Sequence, residues 1–236
     1  MTIGTDISEF QKLTMSTESP ALWIPINPGD PLYTPVEELP ADIAILYEYN
    51  PVLAKQLLAE AGYPEGLETT FLIDVAKPYA RDEAALLQNQ WAKIGVELEI
   101  EVLDPVSFEM HFRQATYPNV VLIGNDLANP IMTLLNYGMT GGHFAYTHWE
   151  NEAFNELCTQ MQAKMTEAEQ MPLAKEANLI EMNEVSHIPC FLNPTRIYWW
   201  PWLKNYHGEL TVYDNYLAGM YRFIWIDQDL KAEMGY

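Results

Sequence analysis

Hydrophobic and polar residues follow two different periods between residues 49 and 124, and these periods predict alternating helices and strands. The first segment, YNPVLAKQLLAEAGYPEG at 49–66, carries signals for both ends of a helix. Asn50 is a favourable N-cap and Pro51 suits the first helical position. At the other end, Gly62 can adopt the left-handed conformation and Pro64 prevents the helix from continuing. The apolar face predicted for this helix consists of Ala54, Leu57, Leu58 and Ala61.

Further strands and helices follow in alternation. ETTFLIDV at 68–75 predicts a strand, and a second helix is predicted over 81–94. VELEIEVL at 96–103 alternates strictly, which predicts a strand with one buried face and one solvated face lined by glutamates. Asp104 and Pro105 begin a third helix, and the continuously apolar NVVLIG predicts a buried strand. The predicted faces are Phe71, Ile73 and Val75 for the first strand, Ala84, Leu87, Trp91 and Ile94 for the second helix, and Phe108 and Phe112 for the third. This β-α-β-α-β order predicts an α/β fold with a mainly parallel sheet flanked by helices.

The α/β segment is expected to belong to one lobe, which an N-terminal segment precedes and a C-terminal tail follows. Six prolines between residues 20 and 40 predict an extended loop, so 1–48 is expected to be a lead-in that packs on the lobe. The lobe itself is expected to span 49–204, with helices near 151–165 and 172–185 and strands at IPCFL and RIYWW. Phe154, Leu157, Cys158, Met161 and Met165 form the apolar side of the helix near 151–165. Residues 205–236 form an aromatic C-terminal tail of the same domain.

The net charge of −21 argues against nucleic acid and anionic lipid as partners, because such a surface repels phosphate. The charge is explained either by solubility alone or by a preference for cationic and amine-bearing ligands. No apolar run approaches the roughly 20 residues that span a bilayer, and MTIGTDISEF lacks the features of a signal peptide. Cys158 and Cys190 permit one disulfide at most, and two buried free thiols are the alternative.

The sequence contains none of the common catalytic motifs for a nucleophile, a zinc pair or a phosphate loop, so no catalytic residue and no cofactor are assigned. HFAYTHWENE holds two histidines and two glutamates, but histidines five residues apart in a loop are more typical of ordinary loop residues than of a metal site. GNDLANP at 124–130 directly follows the predicted buried strand, and ligands of open α/β sheets bind beyond the carboxyl ends of strands. Asp126 there is either a contact for an amine or an ordinary turn or N-cap residue.

Several of these segments together resemble the family 5 extracellular solute-binding proteins, which serve ABC importers of peptides, nickel and related solutes. The densest likeness lies in YNPVLAKQLLAEAGYPEG. LLQNQWAKIGVELEIEVLD, HFAYTHWENEAFNELC and SHIPCFLNPTRIYWWPWLKNYHG agree in the same order. The resemblance implies a lobe like those of type II periplasmic binding proteins. It covers the later half of the family's protein, so we expect a C-terminal lobe that offers one of two walls around the ligand.

The resemblance also implies where the ligand binds. Asp126 matches the acidic residue that meets the ligand's amino group, whereas Asn125 stands where the family often has Trp. Asn129 in the same loop and Phe108 on the third helix complete the expected wall. Arg113 either contacts a ligand carboxylate or is a solvated helix residue.

The function expected from this resemblance is capture of peptides or similar amine-bearing solutes and their delivery to an ABC permease. The protein is expected in the periplasm or outside the cell, with a lipid anchor as an open alternative. A degenerate interaction module and an unrecognised enzyme also remain open. Without a first lobe to cover them, the aromatic residues of the tail predict self-association or disorder. Those residues are Tyr213, Tyr216, Tyr221, Phe223 and Trp225.

Overall fold

A computed structural model describes residues 1–13, 31–77, 79–117, 120–121, 129–142, 145–188, 197–208 and 221–236. The helices in this part of the chain are α1 Ile7–Leu13, α2 Ala41–Ala44, α3 Pro51–Glu60, α4 Ala80–Ala92, α5 Pro105–Arg113, α6 Pro130–Thr133, α7 Glu152–Gln162, α8 Glu167–Glu184 and α9 Gln228–Glu233. The strands are β1 Leu67–Asp74, β2 Val96–Leu103, β3 Val120–Val121, β4 Leu203–Lys204 and β5 Trp225–Ile226. Short 3₁₀-helices at Thr2–Gly4, Val36–Glu38 and Ile45–Tyr47 and a π-helical turn at Leu134–Gly138 complete the elements.

The central sheet has the strand order β2-β1-β3, and both of its strand pairs are parallel. The register places Phe71 beside Ile100 and Val120, whose side chains therefore share one face. α4 connects β1 to β2 and packs against both strands, whereas α5 connects β2 to β3. The predicted α/β fold with a parallel sheet is confirmed.

Local sequence signals explain where these elements begin and end. The Asn50 side chain accepts a hydrogen bond from the Leu53 amide at 3.0 Å, and Gly62 ends α3 with φ +99°. Asp104 caps α5 in the same way, with Pro105 at its first position. The apolar stripe of α4 is buried as predicted. β2 buries Val96 and Leu98 and partly buries Ile100 and Val102, whereas Glu97, Glu99 and Glu101 face solvent.

Four details of the prediction are wrong. Leu57 is 47% exposed and Ala61 is exposed as well, because α3 turns Leu53, Ala54 and Leu58 toward the core instead. Val75 lies beyond the end of β1 and is half exposed. Met165 is 93% exposed, because α7 ends at Gln162.

The fourth detail concerns the later elements. α8 begins at Glu167 rather than at 172, because Glu169 accepts a hydrogen bond from the Thr166 amide at 3.2 Å and forms a capping box that precedes Pro172. Residues 197–200 of the predicted strand RIYWW are not in a strand. Most of IPCFL lies outside the described residues.

The buried apolar residues that the structure describes before residue 194 form separate clusters. One lies between the sheet, α3, α4 and the N-terminal segment, where the buried Trp91 indole donates a hydrogen bond to the Thr5 hydroxyl at 2.9 Å. A second lies around α7 and α8 and contains Phe154 and the free thiol Cys158, both fully buried. Cys190 lies outside the described residues. The N-terminal segment is thus fastened to the lobe by a buried polar contact as well as by apolar packing.

The chain divides into two compact units, Met1–Asn193 and Pro194–Tyr236. In the second unit β4 and β5 pair antiparallel, and Trp202 is enclosed by the rings of Trp200 and Tyr236 at 4.5 and 4.8 Å. Tyr221, Phe223 and Trp225 are exposed, whereas Tyr213 and Tyr216 lie outside the described residues. The boundaries at 48 and 204 and self-association through the tail stay predictions. No helix in the described residues has the length and apolar character needed to cross a membrane.

Candidate ligand-binding site

The carboxyl ends of the three parallel strands are the best candidate for a binding site. In the strand order β2-β1-β3 the chain leaves β1 toward β2 on one side and returns to β3 on the other. The two crossovers therefore diverge between β1 and β3, and ligands of open α/β sheets bind in the crevice at such a switch point. Residues 75–77 and 79 follow β1 at this edge, whereas most of the segment that follows β3 lies outside the described residues.

The segment after β1 is a tight turn that presents Lys77. The Asp74 carboxylate accepts a hydrogen bond from the Ala76 amide at 2.9 Å, and the Asp74 carbonyl accepts one from the Lys77 amide at 3.1 Å. Lys77 is exposed, and its ammonium nitrogen lies 5.1 Å from the centre of the Phe108 ring. The turn thus holds a solvated cation at the switch point, with its apolar stem available to pack on an aromatic ring.

The end of β2 is hydrogen-bonded to this turn. The Val75 amide donates a hydrogen bond to the Leu103 carbonyl at 2.9 Å, which ties the ends of β1 and β2 together. The hydrogen bonds of Asp104 with Ser107 and Val106 lower the pKa of its carboxyl group. Asp104 therefore stays ionised at the first turn of α5, where a negative charge also favours the helix dipole.

Apolar side chains are exposed around the same edge. Val75 and Tyr79 flank Lys77 in sequence and are about half exposed, and Val106 in the first turn of α5 is 70% exposed. The edge therefore combines a cation, a carboxylate and apolar surface, which is the composition expected of a wall that binds small polar ligands.

The predicted site residues fall in three kinds of place. Asp126 and Asn125 lie outside the described residues. Asn129 is exposed and its side-chain oxygen caps α6 by accepting from the Met132 amide at 3.1 Å. Phe108 is 3% exposed and forms the floor beneath Lys77 rather than an open contact surface.

Arg113 lies at the opposite end of α5 from the sheet edge, about 12 Å along the helix from Pro105 at 1.5 Å per residue. Its side chain is 55% exposed and pairs with Glu109 one turn earlier at 2.5 Å. This placement agrees with the alternative of a solvated helix residue. The sequence prediction did not include Lys77, although the rule that singled out GNDLANP, polar residues directly after a strand, applies equally to DVAKPY after β1.

One cluster elsewhere brings a hydroxyl, an imidazole and a carboxylate together. Ser186 Oγ donates to Glu181 Oε1 at 2.8 Å and lies 2.8 Å from His187 Nδ1, and the same Glu181 oxygen lies 3.4 Å from Nδ1. A serine nucleophile needs one ring nitrogen as its base and the other nitrogen held by the acid. Here both groups meet the same nitrogen, so the cluster has the geometry of a buried helix-end contact rather than of a triad.

The described residues hold no group of three or more His, Cys, Asp or Glu side chains placed to bind a metal ion. His143 lies outside the described residues. His148 is 2.9 Å from the Ala115 carbonyl through its Nε2 atom, and the Tyr117 hydroxyl donates to the Tyr146 carbonyl. These contacts give the loop histidine and its neighbours a structural role beside the end of α5.

Comparison with known proteins agrees with this geometry. The sequence model for "Bacterial extracellular solute-binding proteins, family 5 Middle" matches residues 1–142. Heme-binding protein A of Haemophilus influenzae is 30% identical over 159 residues, which are 61% of this chain and 27% of that protein. Di/tripeptide-binding protein 1 of Pseudomonas aeruginosa is 27% identical over 150 residues, which are 60% of this chain and 28% of that protein.

Solved structures share the fold. The ABC transporter-associated periplasmic binding protein DppA of Helicobacter pylori, solved in complex with the peptide STSA, superposes with a TM-score of 0.67 at 21% identity. The superposition covers 80% of this chain and 37% of that chain. The chain thus spans little more than a quarter of the length of the two curated relatives above.

Proposed function

This chain belongs to the family 5 bacterial extracellular solute-binding proteins, and from that premise we propose that its sheet edge is one wall of a cleft that captures small peptides or similar amine-bearing solutes for an ABC permease. The place of action would be the periplasm or the cell exterior. The proposal describes binding without catalysis. The observation that carries it is Lys77, a cation that the turn after β1 and the Phe108 ring hold at the carboxyl edge of the sheet.

The two charges give the wall a specific chemistry. A free peptide is a zwitterion, with an ammonium group at one end and a carboxylate at the other. Asp126 would accept charge-assisted hydrogen bonds from the ammonium group, and Lys77 would pair with the carboxylate. The exposed apolar residues Val75, Tyr79 and Val106 would contact the ligand's side chains.

The names of the relatives point to two ligand classes. One relative is called heme-binding and another di/tripeptide-binding. Paired charges of opposite sign favour a zwitterion over a ligand that carries carboxylates alone. We therefore place small peptides first and heme second.

The test is titration of the chain with a dipeptide, its N-acetylated form and its C-amidated form, followed by NMR or calorimetry. We expect N-acetylation and Asp126→Asn each to weaken binding about tenfold or more, as loss of a hydrogen bond to a charged group does. C-amidation and Lys77→Met should weaken binding to a similar extent, and the two effects should not add. Lys93→Met is the matched control, because Lys93 is an exposed lysine at the end of α4.

Three outcomes would contradict the proposal. An affinity that stays the same when either terminus is blocked would show that the wall does not recognise the two charged ends of a peptide. Tight binding of heme with no saturable binding of dipeptide would show that heme is the ligand and small peptides are not. Recovery of hydrolysed peptide after incubation, measured by mass spectrometry, would favour an enzyme over a binding protein.

A further inference from the structure

Among the strands of the described residues, β2 is the outermost of the central sheet, and no other strand there pairs with its outer edge. The hydrogen bonds from Leu67 and Val75 to the carbonyls of Gly95 and Leu103 show which peptide groups face β1. By the two-residue period of a strand, the peptide groups of the even-numbered residues from Val96 to Val102 face outward. The Leu98 carbonyl does so visibly, because it accepts a hydrogen bond from the Gln88 side chain at 2.6 Å.

A groove of about 1040 Å³ runs along this edge. Its lining combines carboxylates of β1 and β2 with polar and small residues of α4 and β1 and with apolar residues of β2. The residues that matter for its chemistry are Glu68, Thr70, Gln88, Ala92, Glu97 and Glu99. Glu68 is aligned with Glu97 in the parallel register, so the acidic side is two strands wide.

We propose that the outer edge of β2 is a docking site for a basic, extended peptide segment that adds a strand to the sheet. The backbone of such a segment would satisfy the outward peptide groups, and Lys or Arg at alternate positions would face Glu97, Glu99 and Glu101. The net charge of −21 would attract such a segment from a distance.

Two observations favour this occupant over others. A second copy of the chain paired through the same edge would set one row of glutamates against an identical row, and like charges opposite each other are destabilising. In addition, the Gln88 side chain already holds one of the outward carbonyls, which shows that the edge accepts an amide donor from outside the sheet.

The groove lies along the start and middle of β2, whereas the proposed ligand wall lies at the carboxyl ends of the strands. A partner could therefore dock here whether or not the wall binds a peptide, and the proposal does not depend on the proposed function.

The experiment is a fluorescence anisotropy titration with a labelled acetyl-Lys-Thr-Lys-Val-Lys-Thr-amide peptide. Its blocked ends remove the two terminal charges that the ligand wall would recognise, so that the lysine side chains alone carry charge. We expect saturable binding that weakens as NaCl rises from about 50 to 300 mM, because the contacts are exposed ion pairs. Glu97→Gln/Glu99→Gln should weaken binding about three- to tenfold, and Asp126→Asn should leave it unchanged.

Two further arms test the strand geometry. One peptide carries N-methyl groups on the Lys amides and a second carries them on the Thr and Val amides. We expect the two peptides to lose affinity by different amounts, because only one alternate set of amides can face β2. Gln88→Ala should strengthen binding about threefold, since it frees the Leu98 carbonyl. An unchanged affinity in the double glutamine variant, equal effects of both methylation patterns, or a glutamate-dependent homodimer in sedimentation would each overturn the proposal.

Discussion

The ammonium nitrogen of Lys77 lies 5.1 Å from the centre of the Phe108 ring, so an exposed cation rests over a buried aromatic side chain. Such a contact restricts a flexible side chain to the site where the strands end. It links the turn after β1 to the helix that follows β2, although the two are about thirty residues apart in sequence.

Replacing the two partners together should reveal this contact as a coupling energy. Phe108→Leu alone should lower the free energy of unfolding by about 1–2 kcal/mol, because Leu fills most but not all of the space of the ring. A cycle with Lys77→Met should give a coupling of about 0.5–1 kcal/mol in urea unfolding at low salt. The same cycle with Lys93→Met is the control and should be additive. Additivity in both cycles would show that the ring does not hold the cation.

Glu83, on α4 near Lys77, predicts a dependence of stability on pH. It is 5% exposed, and its burial raises the pKa of its carboxyl group, with Lys77 opposing and Asp82 adding to that shift. A raised folded pKa means that this contribution to stability is fully present below the unfolded pKa and is lost as pH rises through the folded pKa.

Glu83→Gln should therefore stabilise the protein at pH 7 relative to wild type and lose this advantage near pH 4. Combining it with Lys77→Met should enlarge the advantage at pH 7, because the cation that favours the ionised form is gone. Urea unfolding at several pH values measures both effects. Glu97→Gln, on the solvated face of β2, is the matched control and should show neither. Equal pH profiles for wild type and Glu83→Gln would contradict the argument.

The order of elements could be predicted from the sequence because the apolar periods of α4 and β2 are unambiguous. Which face of α3 is buried could not be predicted in the same way. Its apolar residues allow two neighbouring orientations, and the 3₁₀-helix Thr2–Gly4 packs on α3 and selects the one that buries Ala54. The buried face of α3 is thus selected by a contact with residues some fifty positions earlier, and the local hydrophobic period carries no information about that contact.

The short strands of the second unit show the same limit. RIYWW has strong β propensity, yet the pairing that forms joins Leu203–Lys204 to Trp225–Ile226. Asp227 donates its amide to the Trp202 carbonyl at 2.8 Å and continues that pairing. Propensity marks candidate strands, but a partner some twenty residues away selects which residues pair.

The position of the candidate site follows from a general rule, that ligands of open α/β sheets bind beyond strand ends, and it stays a prediction. The sequence did not indicate all of the residues at that edge. Lys77 was missed because a single lysine after a strand looks ordinary. Its significance comes from Phe108, which lies one helix away in the chain and beneath it in space.

Gly62 and Gly66 both have positive φ angles, and comparing them tests the close packing at the start of β1. Gly66 has φ +104°, and a Cβ atom there would lie 2.4 Å from the Gly95 carbonyl oxygen. Gly62 has φ +99° with open space around it. Gly62→Ala should lower stability by about 1–2 kcal/mol through backbone strain alone. Gly66→Ala should lower it by more, because strain and a backbone clash add. Equal losses in thermal unfolding would show that the strand start can shift.

Cys158 predicts a thiol that is inert in the folded protein. It is fully buried, and burial, with a smaller effect of Glu181, raises its pKa to about 12. Only the thiolate reacts with disulfide reagents. In a Cys190→Ser background, labelling at pH 8 should be slow in buffer and become rapid in urea.

The same shift implies weaker stability at high pH. The thiol ionises in the unfolded chain from about pH 8.5 but stays protonated in the folded protein, so its contribution is complete below that pH and declines above it. The free energy of unfolding should fall by up to about 1.4 kcal/mol per pH unit more in Cys190→Ser than in Cys190→Ser/Cys158→Ala between pH 9.5 and 11. The comparison uses slopes, so the cavity that the alanine substitution leaves does not enter. Parallel slopes, or rapid labelling in buffer, would contradict a protonated and inaccessible thiol.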